Sequence, residues 1–260
     1  MSALDQTANY LLRLQYDGTR YEGWQKQKGA ELTIQGKLER VLEEFAGTPV
    51  EVCGSARTDA GVHALGQAAN VHLPGSPGEA ELLEYLNHYL PEDIRVLSVN
   101  WVPERFHARF SAVRKTYCYR LDTGNKKDVF ERKYRYGFPF ALDVEAMRKA
   151  AGFLIGTHDF KSFCGNKKMK KSTVRTVEKI WIQEEDQEGR RLTITYTGNG
   201  FLQYMVRILT GTLIEVGLGR RSPESMKEVL EAKERGAAGF TAPPEGLFLE
   251  SVEYEGQKLK

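Results

Sequence analysis

The chain has 260 residues, 41% of them hydrophobic and 28% charged, a balance that supports a sizeable buried core and excludes disorder as the default state. With 37 basic and 35 acidic residues the formal net charge is +2, so total charge does not by itself point to nucleic acid.

In chain order, the segment Met1-Ser2-Ala3-Leu4-Asp5-Gln6 lacks a basic start and an apolar run, so no signal peptide is expected there. Tyr10 to Tyr16 alternates as a strand, with Tyr10, Leu12, Leu14 and Tyr16 on one face. Ile34, Leu38, Val41, Leu42 and Phe45 recur at helical spacing behind Thr33, an expected N-cap. Val50 to Ser55 and Gln67 to Leu73 read as strands, Ala80 to Leu90 as a helix and Ile94 to Val102 as a strand, giving the order βαββαβ. The second half repeats it with strand Lys115 to Leu121, helix Val144 to Leu154, and strands Val174 to Gln183 and Arg191 to Thr197. Helix Phe201 to Val216, a surface helix Pro223 to Arg235 and strand Leu247 to Tyr254 follow.

The expected fold class is therefore α+β: two ferredoxin-like βαββαβ halves related by pseudo-twofold symmetry, with a cleft between mostly antiparallel sheets. The halves are expected at residues 1–112 and 113–260, as one continuous body, because no low-complexity segment or long Pro/Ser linker divides them. Phe201 to Val216 is the most apolar stretch, but Arg207 and Glu215 make it too polar, and its length too short, for a membrane span. Cys53, Cys118 and Cys164 are odd in number and widely spaced, with no Cys-x-x-Cys pair. They argue against a disulfide framework or zinc site and fit a reducing cytoplasm.

Four features carry chemistry. Ser55-Ala56-Arg57-Thr58-Asp59-Ala60-Gly61-Val62-His63-Ala64 sets Arg, Thr, Asp and His among small residues between two strands, where a loop projects polar groups. Taken alone it reads first as a turn in which Asp59 caps backbone donors and Arg57 is an exposed cation. His63, with no second His or Cys at metal-ligand spacing, reads as a hydrogen-bonded structural residue. Arg207 lies in a helix apolar on most faces, so its guanidinium is expected to be buried against an anion. Glu215, eight residues on, is too far along the helix for a direct pair, which leaves a carboxylate from another element or an RNA phosphate. Tyr117 and Tyr119 share one strand face, as core tyrosines or as a stacking face for an extruded base. Finally, Lys161, Lys167, Lys168, Lys170, Lys171 and Arg175 form an acid-free basic stretch from 161 to 175, a solvated loop or an RNA-backbone contact.

Seven segments together resemble the tRNA pseudouridine synthase A family. They are Tyr16-Asp17-Gly18-Thr19-Arg20-Tyr21-Glu22-Gly23-Trp24-Gln25, the loop Arg57 to Ala64, Phe106-His107-Ala108-Arg109-Phe110-Ser111-Ala112, and Lys115-Thr116-Tyr117-Cys118-Tyr119. The others are His158-Asp159-Phe160-Lys161-Ser162-Phe163, Phe201-Leu202-Gln203-Tyr204-Met205-Val206-Arg207 and Ala242-Pro243-Pro244-Glu245-Gly246-Leu247. They stand in family order over nearly the whole chain.

The resemblance implies isomerisation of uridine to pseudouridine in the anticodon stem-loop of tRNA, in a positively charged cleft, with no cofactor or metal. It implies a homodimer, with each tRNA touching both subunits. Asp59 matches the family's catalytic aspartate, Arg57 the arginine that takes the flipped base's place, and Tyr117 the tyrosine over the uracil. Arg207 matches the arginine paired with the aspartate, and Leu247 an aliphatic wall of the base pocket. Attack of Asp59 at C1′, addition at C6 and removal of a sugar proton stay open as mechanisms. Two departures stand out: Ala56 replaces the family's usual Gly, and Lys126-Lys127-Asp128-Val129-Phe130 lacks a proline often found there. A non-catalytic RNA-binding relative and a synthase acting on another RNA are the rival readings.

Overall fold

The computed structural model describes residues 7–124, 128–166, 168–186 and 190–256. Lys126 and Lys127, in the second departure, and Lys167, in the basic stretch, lie outside them. The protein is mixed α+β with mostly antiparallel strands, and the chain divides into two compact units: Met1–Val113 with Leu249–Lys260, and Arg114–Phe248.

The first unit runs β1 (Thr7–Tyr16), α1 (Ile34–Ala46), β2 (Val52–Gly54), β3 (His63–Pro74), α2 (Glu79–Tyr89) and β4 (Ile94–Val102). From Leu249 onward the last strand, β10 (Leu247–Tyr254), belongs to it. The strand order is β4-β1-β3-β10, with β2 also on β3; β1 pairs antiparallel with both β3 and β4. Helix α1 starts where expected: the Thr33 hydroxyl accepts from Gly36 N–H at 3.2 Å, satisfying a donor that the first turn leaves unpaired. Leu38, Leu42, Leu82 and Leu86 of the two helices are fully buried, and Phe45 meets Tyr85 edge-on at 4.7 Å between them.

The alternation of β1 accounts for Tyr10, Leu12, Leu14 and Tyr16, with Ala8 on the same face, but the opposite face is buried as well at Asn9 and Leu11. The chain after β4 covers it. Asn9 Nδ2 donates to the carbonyls of Pro103 (3.2 Å) and Phe106 (2.9 Å), and Asn70 Nδ2 donates to Asn9 Oδ1 at 3.0 Å. A polar residue can occupy such a position because its hydrogen bonds are replaced one for one.

The second unit runs β5 (Ala112–Thr123), β6 (Tyr136–Phe138), α3 (Val144–Gly152), β7 (Gly156–Asp159), β8 (Val174–Glu184), β9 (Arg191–Gly198), α4 (Met205–Gly217) and α5 (Ser225–Ala232), then Leu247 and Phe248 of β10. Its strands are ordered β5-β9-β8-β7, all antiparallel, with the short β6 parallel to β5. Leu121, Phe138, Leu192 and Ile214 form a core cluster that joins β5, β6 and β9 to α4. Most of α4 is buried, in keeping with its apolar sequence, and Tyr196 of β9 reaches Thr210 of α4 through a 2.8 Å hydroxyl contact.

Helix α4 begins at Met205, four residues later than the spacing predicts. Tyr204 stands at φ 60°, ψ 3°, a left-handed conformation that ends the helical path in the N-terminal direction. The preceding residues form a turn closed by Met205 N–H donating to Leu202 O at 3.0 Å.

Candidate active site

In the first unit, the Asp59 loop joins β2 to β3, and its backbone is tied down nearly residue by residue. Ser55 N–H donates to Ala68 O at 2.7 Å. The Gln67 side chain, completely buried, accepts from Ala56 N–H (3.3 Å) and donates to Ala56 O (2.8 Å). Ala56, where the family usually has Gly, is itself buried. Gln67 Nε2 also donates to Tyr16 OH (3.3 Å), which shares a 2.8 Å hydrogen bond with Thr58 Oγ1. Burial raises the Tyr16 phenol well above its ordinary range, against the weaker opposing effect of its Thr58 and Gln67 hydrogen bonds; it stays neutral and serves as a strut.

The loop then turns back. Val62 N–H donates to Asp59 O at 3.1 Å, and Gly61, third in that turn, has φ 76°, a value that favours glycine. Trp24 N–H donates to Thr58 O (3.0 Å) and Gly61 N–H to Tyr21 O (3.2 Å). The segment Tyr16 to Gln25 is therefore the brace of the Asp59 loop, which gives these two resembling segments one physical reason to occur together. With Ala56 and Thr58 anchored inward, Arg57 is exposed and Asp59 half-buried at the loop's outer side.

His63 is buried at 1% exposure, and its Nδ1 accepts from Gly18 N–H at 3.0 Å. Asp17 Oδ1 lies 3.2 Å from the same nitrogen, but a nitrogen that accepts a backbone N–H cannot also donate to a carboxylate, and that oxygen accepts from Thr19 N–H at 2.9 Å. The histidine holds the loop, as its apolar neighbours suggest.

The second unit gathers three more of the resembling segments. Tyr117 on β5 pairs with Tyr196 on β9, is 8% exposed, and meets the Phe201 ring edge-on at 5.2 Å and 82°. Tyr119 is fully buried and donates its hydroxyl to Pro243 O at 2.8 Å. Arg207 and Ala242 bond reciprocally: Arg207 Nε donates to Ala242 O (2.7 Å), and Ala242 N–H to Arg207 O (3.0 Å). The segment Ala242 to Leu247 is thus fixed at its first two residues, Ala242 by Arg207 and Pro243 by Tyr119, and it delivers a buried Leu247 (5% exposed) at the start of β10.

Arg207 is half-buried rather than buried as the helix pattern predicts. It is the third residue of α4, near enough to the helix start for the guanidinium to lie 5.2 Å over the Tyr204 ring. Glu215 is engaged elsewhere, by Arg221 Nε at 2.5 Å and Phe240 N–H at 3.3 Å, in line with the spacing argument against a direct pair with Arg207. Sequence reasoning missed Gln67, Tyr16 and Tyr204. Gln67 had no distinguishing signal, since Asn70 and His72 are polar in the same strand; the left-handed Tyr204 had none either.

The basic stretch is a loop clamped at its neck. Phe160 N–H donates to Thr173 O at 3.1 Å, the Thr173 hydroxyl donates to Asp159, and Lys233 Nζ lies 3.4 Å from the same carboxylate. Lys161, Lys168, Lys170 and Lys171 are exposed on it. Arg175 is half-buried at the start of β8 and donates to the carbonyls of Ser172 (3.0 Å) and Val174 (2.6 Å). Gly165 N–H donates to Gln203 O at 2.8 Å, which ties this loop to the turn before α4. Among the described residues no group of three or more His, Cys, Asp or Glu side chains is placed to hold a metal ion.

A family model described as tRNA pseudouridine synthase matches residues 14–111 and 150–255. Among curated proteins, the chain is 48% identical over 246 residues to a tRNA pseudouridine synthase A from Bacillus sp. (strain KSM-64), covering 95% of this chain and 99% of that one. It is 44% identical, with the same coverage, to a tRNA pseudouridine synthase A 2 from Bacillus anthracis. It is 46% identical to a tRNA pseudouridine synthase A from Geobacillus sp. (strain WCH70), over 93% of this chain and 96% of that one.

Proposed function

The chain belongs to the tRNA pseudouridine synthase family, and on that premise we propose that it isomerises uridine to pseudouridine in the anticodon stem-loop of tRNA, with Asp59 as the carboxylate that acts on the nucleotide. In this reaction the N1–C1′ bond of the nucleotide breaks, the uracil turns, and C5 bonds to C1′. C5 gives up its proton and N1 ends protonated, so atoms and electrons balance without a redox partner. The reacting atoms of a stacked uridine are out of reach, so the nucleotide must first leave the stack, at a cost of a few kcal/mol.

The observation that carries the reading is the build of the Asp59 loop. A carboxylate that acts on one atom of a substrate needs a fixed backbone and an accessible head. Asp59 has the first through Gln67, Tyr16, Trp24 and the Gly61 turn, and its half-buried position is compatible with the second. Arg57, exposed two residues earlier, is suited to fill the vacated stack with a planar guanidinium that also meets phosphate. In the same reading Tyr117 lies over the uracil, Arg207 supplies positive charge to the site, and Leu247 walls the base pocket.

The two ferredoxin-like halves, 1–112 and 113–260, belong to this proposal. The βαββαβ order of the first unit supports it, as does the sequence β5, α3, β8, β9, α4, β10 within the longer second part. A cytoplasmic homodimer is part of it too: Cys53, Cys118 and Cys164 are free thiols, and no helix of the described residues is long and apolar enough to cross a membrane.

Incubating unmodified tRNA transcripts with the protein and mapping pseudouridine by chemical derivatisation tests the substrate. New pseudouridines confined to the anticodon stem-loop are expected; modification only elsewhere, or only in ribosomal RNA, would contradict it. For the basic loop, which we assign to tRNA phosphates, replacing Lys167, Lys168, Lys170 and Lys171 with Gln should weaken binding to all tRNAs alike. The log–log salt slope should fall by about one for each lysine–phosphate pair removed. An unchanged slope in filter binding would return the loop to a merely solvated role.

A further inference from the structure

We propose that His107, Arg109 and Phe110 form an additional RNA contact on the first unit, in which an unpaired base of the bound tRNA stacks on the Phe110 ring while Arg109 meets the adjoining phosphate. The inference rests on tRNA being the substrate; it adds a binding surface outside the residues assigned to the reaction. The segment that carries it, 103–111, has a backbone held from below by buried groups. Asn70 Oδ1 accepts from Ala108 N–H at 2.8 Å, the Tyr254 hydroxyl donates to Ala108 O at 2.8 Å, and the Phe106 ring packs on Tyr254 at 4.9 Å. Asn9 holds the carbonyls of Pro103 and Phe106. The tip is closed by its own bonds: Ser111 N–H donates to His107 O (2.9 Å), His107 N–H to Ser111 Oγ (3.2 Å), and Arg109 N–H to His107 Nδ1 (3.1 Å).

Ala108, at 0% exposure, anchors the loop. Phe110 does the opposite, with 78% of its surface exposed, so core packing gives little reason for an aromatic residue there. The surroundings of the ring suit a nucleotide. The His107 ring stands 4.4 Å from it at a 44° tilt, the Arg109 guanidinium is 5.9 Å from its centroid, and Arg105 is exposed in the same segment. The one acid nearby in sequence, Glu104, lies 3.2 Å from His72 Nε2. An aromatic face flanked by cations is the arrangement that stacks a base and screens its phosphate, and a preformed loop loses little entropy on binding. Because every base has a π-face, this contact should not select sequence.

The test compares wild type, Phe110→Ala, Phe110→Tyr and Arg109→Gln in tRNA filter binding across a salt series, with light scattering to report oligomeric state. Phe110→Ala should weaken binding about 10-fold with the salt slope unchanged, because it removes stacking and leaves every phosphate pair in place. Phe110→Tyr should restore affinity, and Arg109→Gln should lower the slope by about one. Wild-type affinity in Phe110→Ala would overturn the proposal. So would a loss of affinity that follows dissociation into smaller species, since Phe110 would then face a second copy of the chain. If wild type both binds and modifies tRNA while Phe110→Ala is unaffected, only this contact fails; if wild type binds no tRNA, the substrate assignment fails with it.

Discussion

Replacing Gly23 with Ala is expected to destabilise the protein by about 3 kcal/mol or more and to reduce pseudouridine formation sharply. Gly23 has φ +101°, a backbone conformation that side chains with a Cβ rarely adopt, and its neighbours leave no room. An added Cβ would stand 2.7 Å from Thr58 O, 3.1 Å from Asp59 C and 3.2 Å from Ala60 N. All three are backbone atoms of the loop that carries Asp59, and one of them, Thr58 O, already accepts from Trp24 N–H. The methyl cannot be accommodated by rotating a side chain, so the loop must move or the brace must open. Gly29→Ala is the control. Its φ is +85°, and a Cβ there meets nothing within 4 Å, so it carries the conformational cost alone, about 1 kcal/mol. Chemical denaturation and turnover measured on both variants check this. Gly23→Ala should lose activity in excess of its unfolded fraction, whereas Gly29→Ala should keep wild-type turnover. Equal behaviour of the two would mean that Gly23 does not support the Asp59 loop through contact.

Elements whose identity is set by their own residues were legible in the sequence. β4 and β10 have the bounds that alternation predicts, and α1 begins behind Thr33, because a strand face or a capped amphipathic helix is written in local periodicity. β6 and β7 were not legible, with three and four residues each. So short a run shows no period, and each is a strand only because a neighbour, β5 or β8, supplies hydrogen bonds. The start of α4 was misplaced for a related reason: Phe201 to Tyr204 keeps an apolar pattern that fits a helix, while a single left-handed residue, invisible in that pattern, ends it.

At the site, the identity of Asp59, Arg57, Tyr117, Arg207 and Leu247 came from resemblance rather than spacing, and their supports came only from the fold. Gln67 touches Ala56 and Tyr16 across 11 and 51 residues of chain. Arg207 meets Ala242 across 35. Contacts of that range have no local signature. Periodicity also exaggerated the burial of Arg207, because a long side chain on an apolar helix can carry its head outward while its stem packs.

In the proposed reaction Asp59 makes and breaks bonds, whereas Arg57 mainly presents the nucleotide. Asp59→Asn keeps the size and hydrogen-bonding reach of the side chain but removes its negative charge. It should lower turnover on the order of 10³-fold or more, with tRNA affinity unchanged or slightly tighter, since a negative charge near phosphate is removed. Arg57→Ala should slow turnover on folded tRNA, where the base must be drawn from the stack, and affect single-turnover chemistry on an already unstacked uridine less. The most direct measurement is tritium release from C5-labelled uridine in tRNA, run beside filter binding of the same tRNA. Full binding and no release above background are expected for Asp59→Asn; substantial release by that variant, freed of wild-type contamination, would contradict the proposed role and assign the chemistry to another residue.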